Sequence, residues 1–229
     1  MNNQLLCLLQ LAFAPVGAYS YSEGIESLVE TGTIDSEISL RNWLQDSLQF
    51  GAIRVEAAVA VRALRSAIGG DLAAISYWNA WATATKETEE LRSQSWQMGR
   101  TLVKLLLDLR SPTASQLTTP IKELVESCGN PCNFAIAFGI TCAYWQIEEE
   151  AAVLGYLYSW ATNLASAGVK LIPLGQTVGQ QLLLDLHAQI SCTAQEVLKL
   201  EDDDLGSCSW GLALASMAHE TQYTRLFRS

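Results

Sequence analysis

Near its end the sequence reads His219-Glu220-Thr221-Gln222-Tyr223, one residue short of the His-Glu-x-x-His that holds zinc on a helix. That chemistry needs two imidazoles four positions apart, with the glutamate as general base. Tyr223 stands where the second imidazole belongs, and the only other histidine is His187. His219 and Glu220 therefore read as a helix end whose side chains hydrogen-bond locally. Cys128-Gly129-Asn130-Pro131-Cys132 has a spacing that metal sites tolerate, but no second pair follows it. The stretch "PLGQTVGQQ" (173–181) has two glycines but lacks the Lys and hydroxyl that cradle nucleotide phosphates. Glu201-Asp202-Asp203-Asp204 lacks the alternating ligands and the Gly of a calcium loop, and reads as a solvated helix start. Neither histidine can be assigned to a nucleophile–base pair. The expectation is a chain with no catalytic residue, no metal ligand and no cofactor.

Other residues are better suited to binding. Tyr19 and Tyr21 flank a small-residue break, Pro15-Val16-Gly17, and Glu23 follows them. The last residues, Tyr223, Arg225, Leu226, Phe227 and Arg228, put arginine beside aromatic and apolar groups. Arg and aromatics dominate the energies of protein interfaces. The chain as a whole carries 14 Lys+Arg against 24 Asp+Glu, a net charge of -10. Such a balance argues against nucleic acid, which requires clustered positive charge. A basic protein partner fits it better.

The elements that must carry these residues are helical nearly throughout. Helix patterns cover 3–12, 23–31, 36–67, 71–84, 87–110, 120–128, 133–146, 148–167, 174–199 and 209–220. In 87–110, Leu91, Met98, Leu102, Leu105 and Leu109 fall on one face at a 3.6-residue period, and in 174–199 so do Val178, Leu182, Leu186, Ile190 and Val197. Gly69-Gly70 can close one helix in the left-handed conformation. Ser22 is placed to cap the helix after the tyrosines, and Thr119 to cap one that begins with Pro120. No alternating strand pattern of useful length and no repeat occurs. The fold class expected is all-α, a single-domain bundle of about ten helices over 1–229, with 221–229 as a partner-docking tail. The only candidate linker is 110–120.

Composition agrees, with 49% hydrophobic and 17% charged residues. Of the six cysteines, Cys7, Cys142 and Cys192 lie in apolar helical stretches, where Cys acts as a small hydrophobe. They read as reduced, in a cytoplasmic protein. The apolar runs at the N-terminus and at 134–145 are both too short to span a bilayer, and the first lacks a basic n-region.

Four stretches together resemble the UreF family of urease accessory proteins. They are "LLQLAFAPVGAYSYSEGIESLVETG" (8–32), "EELRSQSWQMGRTL" (89–102), "LIPLGQTVGQQLL" (171–183) and "MAHETQYTRLFRS" (217–229). They span the chain in the family's order. One departure is Ala12-Phe13-Ala14 before Pro15, where the family often has further prolines. The resemblance implies an all-α, non-enzymatic homodimer that joins UreD and the GTPase UreG to deliver nickel into the urease apoprotein. The missing phosphate loop agrees with GTP binding by the partner. Residues 221–229 are expected to be loosely held in the free chain and to order against UreD. Tyr19, Tyr21 and Glu23, with the segment around Gln176, are expected at a subunit or partner surface, where Gly17, Gly24, Gly175 and Gly179 permit close approach. Outside the resemblance, a helical small-molecule binder or an enzyme with an unrecognised site remains the alternative.

Overall fold

The computed structural model describes residues 16–109 and 117–229. The helix expected at 3–12, Cys7, Pro15, Arg110 and most of the linker lie outside them. Among the described residues there are ten α-helices, two 3-10 turns and no strand. The helices are α1 (Ile25–Glu30), α2 (Glu37–Phe50), α3 (Ala52–Gly69), α4 (Leu72–Ala84), α5 (Glu89–Asp108), α6 (Ile121–Ser127), α7 (Phe134–Tyr144), α8 (Glu149–Leu171), α9 (Gln176–Val197) and α10 (Trp210–Glu220). The turns are Ala18–Ser20 and Asp202–Asp204. No described helix is long and apolar enough to cross a membrane.

The all-α expectation holds, with local corrections. The helix expected over 36–67 is two helices, because Gly51 leaves the helical region at φ -83 and ψ 172. Ser36 opens the first of them with a capping box shared with Ser39. Thr119 is not a cap: Pro120 occupies that position, with no side-chain bond. Ser22 does not cap α1 either, since Gly24 does. On α5, Leu91, Met98 and Leu102 are buried as expected, but Leu106 is buried in place of Leu109, which is 36% exposed. A 3.6-residue period drifts from a strict heptad over five turns, and the inward face moves with it. Cys192 is exposed, whereas Cys142 is buried. All five described cysteines are unbridged.

The chain divides into two compact units, and the division falls within α3, α5 and α8. The first takes in Glu56–Lys86 and Ser95–Tyr156. In it α4 packs on α6 and α7. A Cβ on Gly139 of α7 would lie 2.2 Å from the carbonyl oxygen of Ala60, so only glycine lets these backbones meet. Phe134, Phe138 and Tyr156 form an aromatic cluster in which Phe138 meets both other rings edge-on. Asn79 organises the loop before α7. Its Nδ2 donates to the carbonyls of Cys128 (2.7 Å) and Pro131 (3.0 Å), and its Oδ1 accepts from the N–H of Asn133 (2.8 Å).

The second unit takes in Gly17–Val55, Glu87–Gln94 and Leu157–Ser229. There α2 packs on α9 and α1 packs on α10. Leu40, Leu44 and Leu48 recur every four residues along α2 and are fully buried. On α9, Leu182, Leu186, Ile190 and Val197 are buried, four of the five residues expected on its inner face. Thr193 of α9 donates its hydroxyl to the carbonyl of Leu48 at 3.1 Å.

Candidate docking surface

Most of the residues singled out for binding come together in the second unit. They do so because α1 and α10 press closely. A Cβ on Gly24 would lie 2.8 Å from Cβ of Ala215, and Gly24 also adopts φ +79. Both facts require glycine there. Ser27 of α1 reinforces the contact by donating to the carbonyl of Ala215 at 2.7 Å. The close approach expected of Gly24 is thus used inside the chain.

Across this contact the last residues of the chain run against residues 20–26. The N–H of Arg228 donates to the carbonyl of Ser20 at 2.8 Å. The carbonyl of Ser229 accepts both the N–H and the hydroxyl of Ser22, each at 2.6 Å. The Ser229 hydroxyl donates to Gln94 Oε1 at 2.6 Å, and Gln94 Nε2 donates to Glu23 at 3.1 Å. Glu23 also accepts from Trp160 Nε1 at 2.9 Å. These bonds offset the cost of holding Glu23, a non-glycine residue, at φ 51, which is roughly 1–2 kcal/mol.

Glu26 is the centre of the arrangement. Its side chain is only 8% exposed. A buried carboxylate must be compensated by donors. Two backbone groups donate to it, the N–H of Leu226 at 2.6 Å and the N–H of Phe227 at 2.8 Å, and His219 Nε2 lies 3.3 Å away. His219 Nδ1 lies 2.8 Å from Glu90, which also pairs with Arg225 at 2.8 Å. His219 is therefore not bonded locally, as the near-zinc pattern suggested. It joins α10 to α1 and α5, and sequence spacing held no signal of that. Phe227 is buried, and Lys170 Nζ sits 5.5 Å over its ring. Burial holds the Tyr21 phenol above its ordinary range, while the adjacent Arg228 pulls partly the other way.

The segment expected to be loosely held is therefore bonded along its last residues. Its side chains divide into two sets. Phe227 and Ser229 are buried in the chain itself, as is Tyr21. Tyr223 is fully exposed, Leu226 is 67% exposed and Tyr19 69%. Arg225 and Arg228 are exposed as well. Gln176 stands apart, exposed at the first position of α9. Sequence reasoning missed Trp210, Leu214 and Met217. All three are exposed, at 76%, 66% and 51%. Their spacing of four and three puts them on one face of α10, a stripe readable from the sequence as apolar but not as outward-facing.

Comparison with known proteins gives the family. The family model described as UreF matches residues 34–187. A protein of Nostoc sp. named "Urease accessory protein UreF" is 57% identical over 100% of this chain and 97% of its own length. Proteins of the same name from Microcystis aeruginosa and Alkalilimnicola ehrlichii are 52% and 40% identical, covering 100% and 94% of this chain and 99% and 90% of their own. Full-length similarity of this order, together with the family match over most of the helical body, makes this chain a member of the UreF family of urease accessory proteins.

Proposed function

We propose that the chain is a non-catalytic assembly factor that works with UreD and the GTPase UreG to deliver nickel into the urease apoprotein. It acts in the cytoplasm as a homodimer, binds neither nucleic acid nor membrane, and shapes the route of the nickel cargo without holding the ion. Residues 1–229 serve as one UreF-like domain, and 221–229 as its docking segment. UreD is the partner of that segment.

The observation that carries this reading is the division of side chains in the tail. Buried bonds at Glu26, Ser22 and Gln94 fix the backbone, while Tyr223 and Leu226 project outward with Arg225 and Arg228 beside them. A rigid backbone presenting aromatic, leucine and arginine side chains is what an interface anchor needs, because little ordering entropy is then lost on binding. The apolar stripe Trp210, Leu214 and Met217 supplies further anchors, and Tyr19 another. The partners' names come from the sequence resemblance alone. The test is co-expression of a urease operon with and without this chain. Urease purified without it is expected to be nickel-poor and inactive. Fully nickel-loaded enzyme from those cells would refute the proposal.

A further inference from the structure

Cys128 and Cys132 serve none of the contacts described so far. Both are buried and unbridged, and both lie in the loop between α6 and α7. Two cysteines can bridge without backbone movement only where the chain already folds them together. Here a single side chain does the folding. Asn79 Nδ2 donates to the carbonyls of Cys128 (2.7 Å) and Pro131 (3.0 Å), and Asn79 Oδ1 accepts from the N–H of Asn133 (2.8 Å). The chain therefore doubles back within the reach of one amide between the first thiol and the second. The bonds that the thiols make to the backbone are weak ones. Cys128 Sγ donates to the carbonyl of Leu124 and Cys132 Sγ to that of Asn133, each at 3.5 Å. The Cys132 thiol is also pushed well above its ordinary range, first by hydrogen bonding with Cys128 and then by burial. An effect of one thiol on the other acts only at short range.

The two thiols are not equally placed. A cavity of about 570 Å³ lies between α5 and this loop, a size that admits a small molecule. Cys132 lines it with Gly129 and Asn130, and Cys128 does not. The wall on the other side is α5, which runs directly over the loop. A Cβ on Gly99 would lie 2.1 Å from the carbonyl oxygen of Cys132, so only glycine permits that approach. Arg100 and Lys104, next along the helix, line the cavity.

We infer that Cys128 and Cys132 form a reversible dithiol–disulfide site, oxidised by thiol–disulfide exchange with a low-molecular-weight disulfide that enters the cavity beside α5. Cys132 loses its proton to water, and its thiolate attacks one sulfur of the reagent. The reagent's S–S bond breaks, and one half leaves as a thiolate that takes up a proton. Cys128, deprotonated in its turn, attacks the Cys132 sulfur of the mixed disulfide and expels the second half as a thiol. Two protein thiols are oxidised by two electrons, and one disulfide is reduced to two thiols. The thiolate is the nucleophile, so a Cys132 held protonated reacts slowly at neutral pH and faster as pH rises. The Asn79 bonds go to backbone groups and persist in both forms.

The inference concerns the isolated chain and rests on no partner, so its failure would leave the proposed function untouched. The full chain, reduced and freed of reductant, is incubated with glutathione disulfide. Free thiols are then blocked with iodoacetamide under denaturing conditions. Oxidised ones are reduced and labelled with N-ethylmaleimide, and the peptides are mapped. Cys128 and Cys132 are expected to gain the second label together, while fully buried Cys142 keeps the first. In Cys128→Ser one glutathione should remain on Cys132. In Cys132→Ser, Cys128 should stay reduced. Exposed Cys192 and Cys208 report that the reagent is active. If those two react while Cys128 and Cys132 stay reduced, the inference is overturned. Glutathione on Cys128 in Cys132→Ser would overturn it as well, and so would equal oxidation of Cys142, which would mean exchange through unfolding. Should either variant fail to fold, the wild-type labels at Cys128, Cys132 and Cys142 decide alone.

Discussion

The carboxylate of Glu26 accepts the backbone N–H of Phe227 at 2.8 Å, across 201 positions of sequence. One buried side chain near the start of the described chain thus fixes the backbone near its end. The bond forms only because the Gly24–Ala215 contact brings α1 and α10 together. It decides which tail side chains are hidden and which are offered.

Glu26→Gln keeps the shape and removes the charge. Hydrogen bonds to an ionised acceptor contribute about 1.5–3 kcal/mol, so protection of the Leu226 and Phe227 amides should drop by roughly tenfold or more. Far-ultraviolet circular dichroism should be unchanged, since α1 keeps its packing. Unaltered protection would show that Glu26 does not hold the tail.

Phe227→Ala removes a buried ring from the same contact. Full burial of a phenylalanine is worth about 3–5 kcal/mol, but the measured loss is capped by the free energy of detaching the tail. Trypsin should then cut at Arg225 and Arg228 faster than in the wild type, with the helical body intact. Equal cleavage rates would place the ring's contribution near zero.

How much of this was legible in the sequence differs by element. The α9 face, the closing of α3 by Gly70 and the all-α class followed from periodicity and glycine placement, which are local properties. The tail and the Tyr19–Glu23 segment could be singled out by residue type, because arginine and aromatics at a chain end are unusual. Their juxtaposition could not. It depends on Glu26, His219 and Glu90, whose separations in sequence carry no period. Likewise the break at Gly51 was hidden by apolar spacing that continues through it. The outward position of Trp210, Leu214 and Met217 had no signal either, because periodicity reports a stripe and not the side on which it lies.

In the first unit, Asn79→Ala should strip the Cys128 and Pro131 carbonyls and the Asn133 N–H of their partner at once. Leaving buried polar groups unpaired costs about 2–3 kcal/mol. The midpoint of urea unfolding should fall accordingly. A midpoint within error of the wild type would mean that water replaces the amide there.

Arg65 and Glu149 form a two-pronged ion pair at 2.9 and 2.7 Å. The Arg65 guanidinium holds the Glu149 carboxyl below its ordinary range, and partial burial opposes this. A lowered folded-state value means that the stabilisation is present above the unfolded glutamate range and is lost as pH falls through the folded value. The pair is exposed, so Arg65→Gln should cost no more than about 1 kcal/mol at neutral pH. The difference between wild type and variant should vanish in acid. A difference that persists at low pH would point to packing of the arginine stem.

The most direct measurement is the affinity of the purified chain for UreD when Tyr223→Ala and Leu226→Ala are combined. Both side chains are exposed, so thermal stability should change by no more than about 0.5 kcal/mol for each. If the fixed tail is an interface anchor, affinity should fall by roughly 30-fold to 1,000-fold, about 1–2 kcal/mol for each side chain lost. Wild-type affinity in a stable double variant would contradict the docking role of the tail.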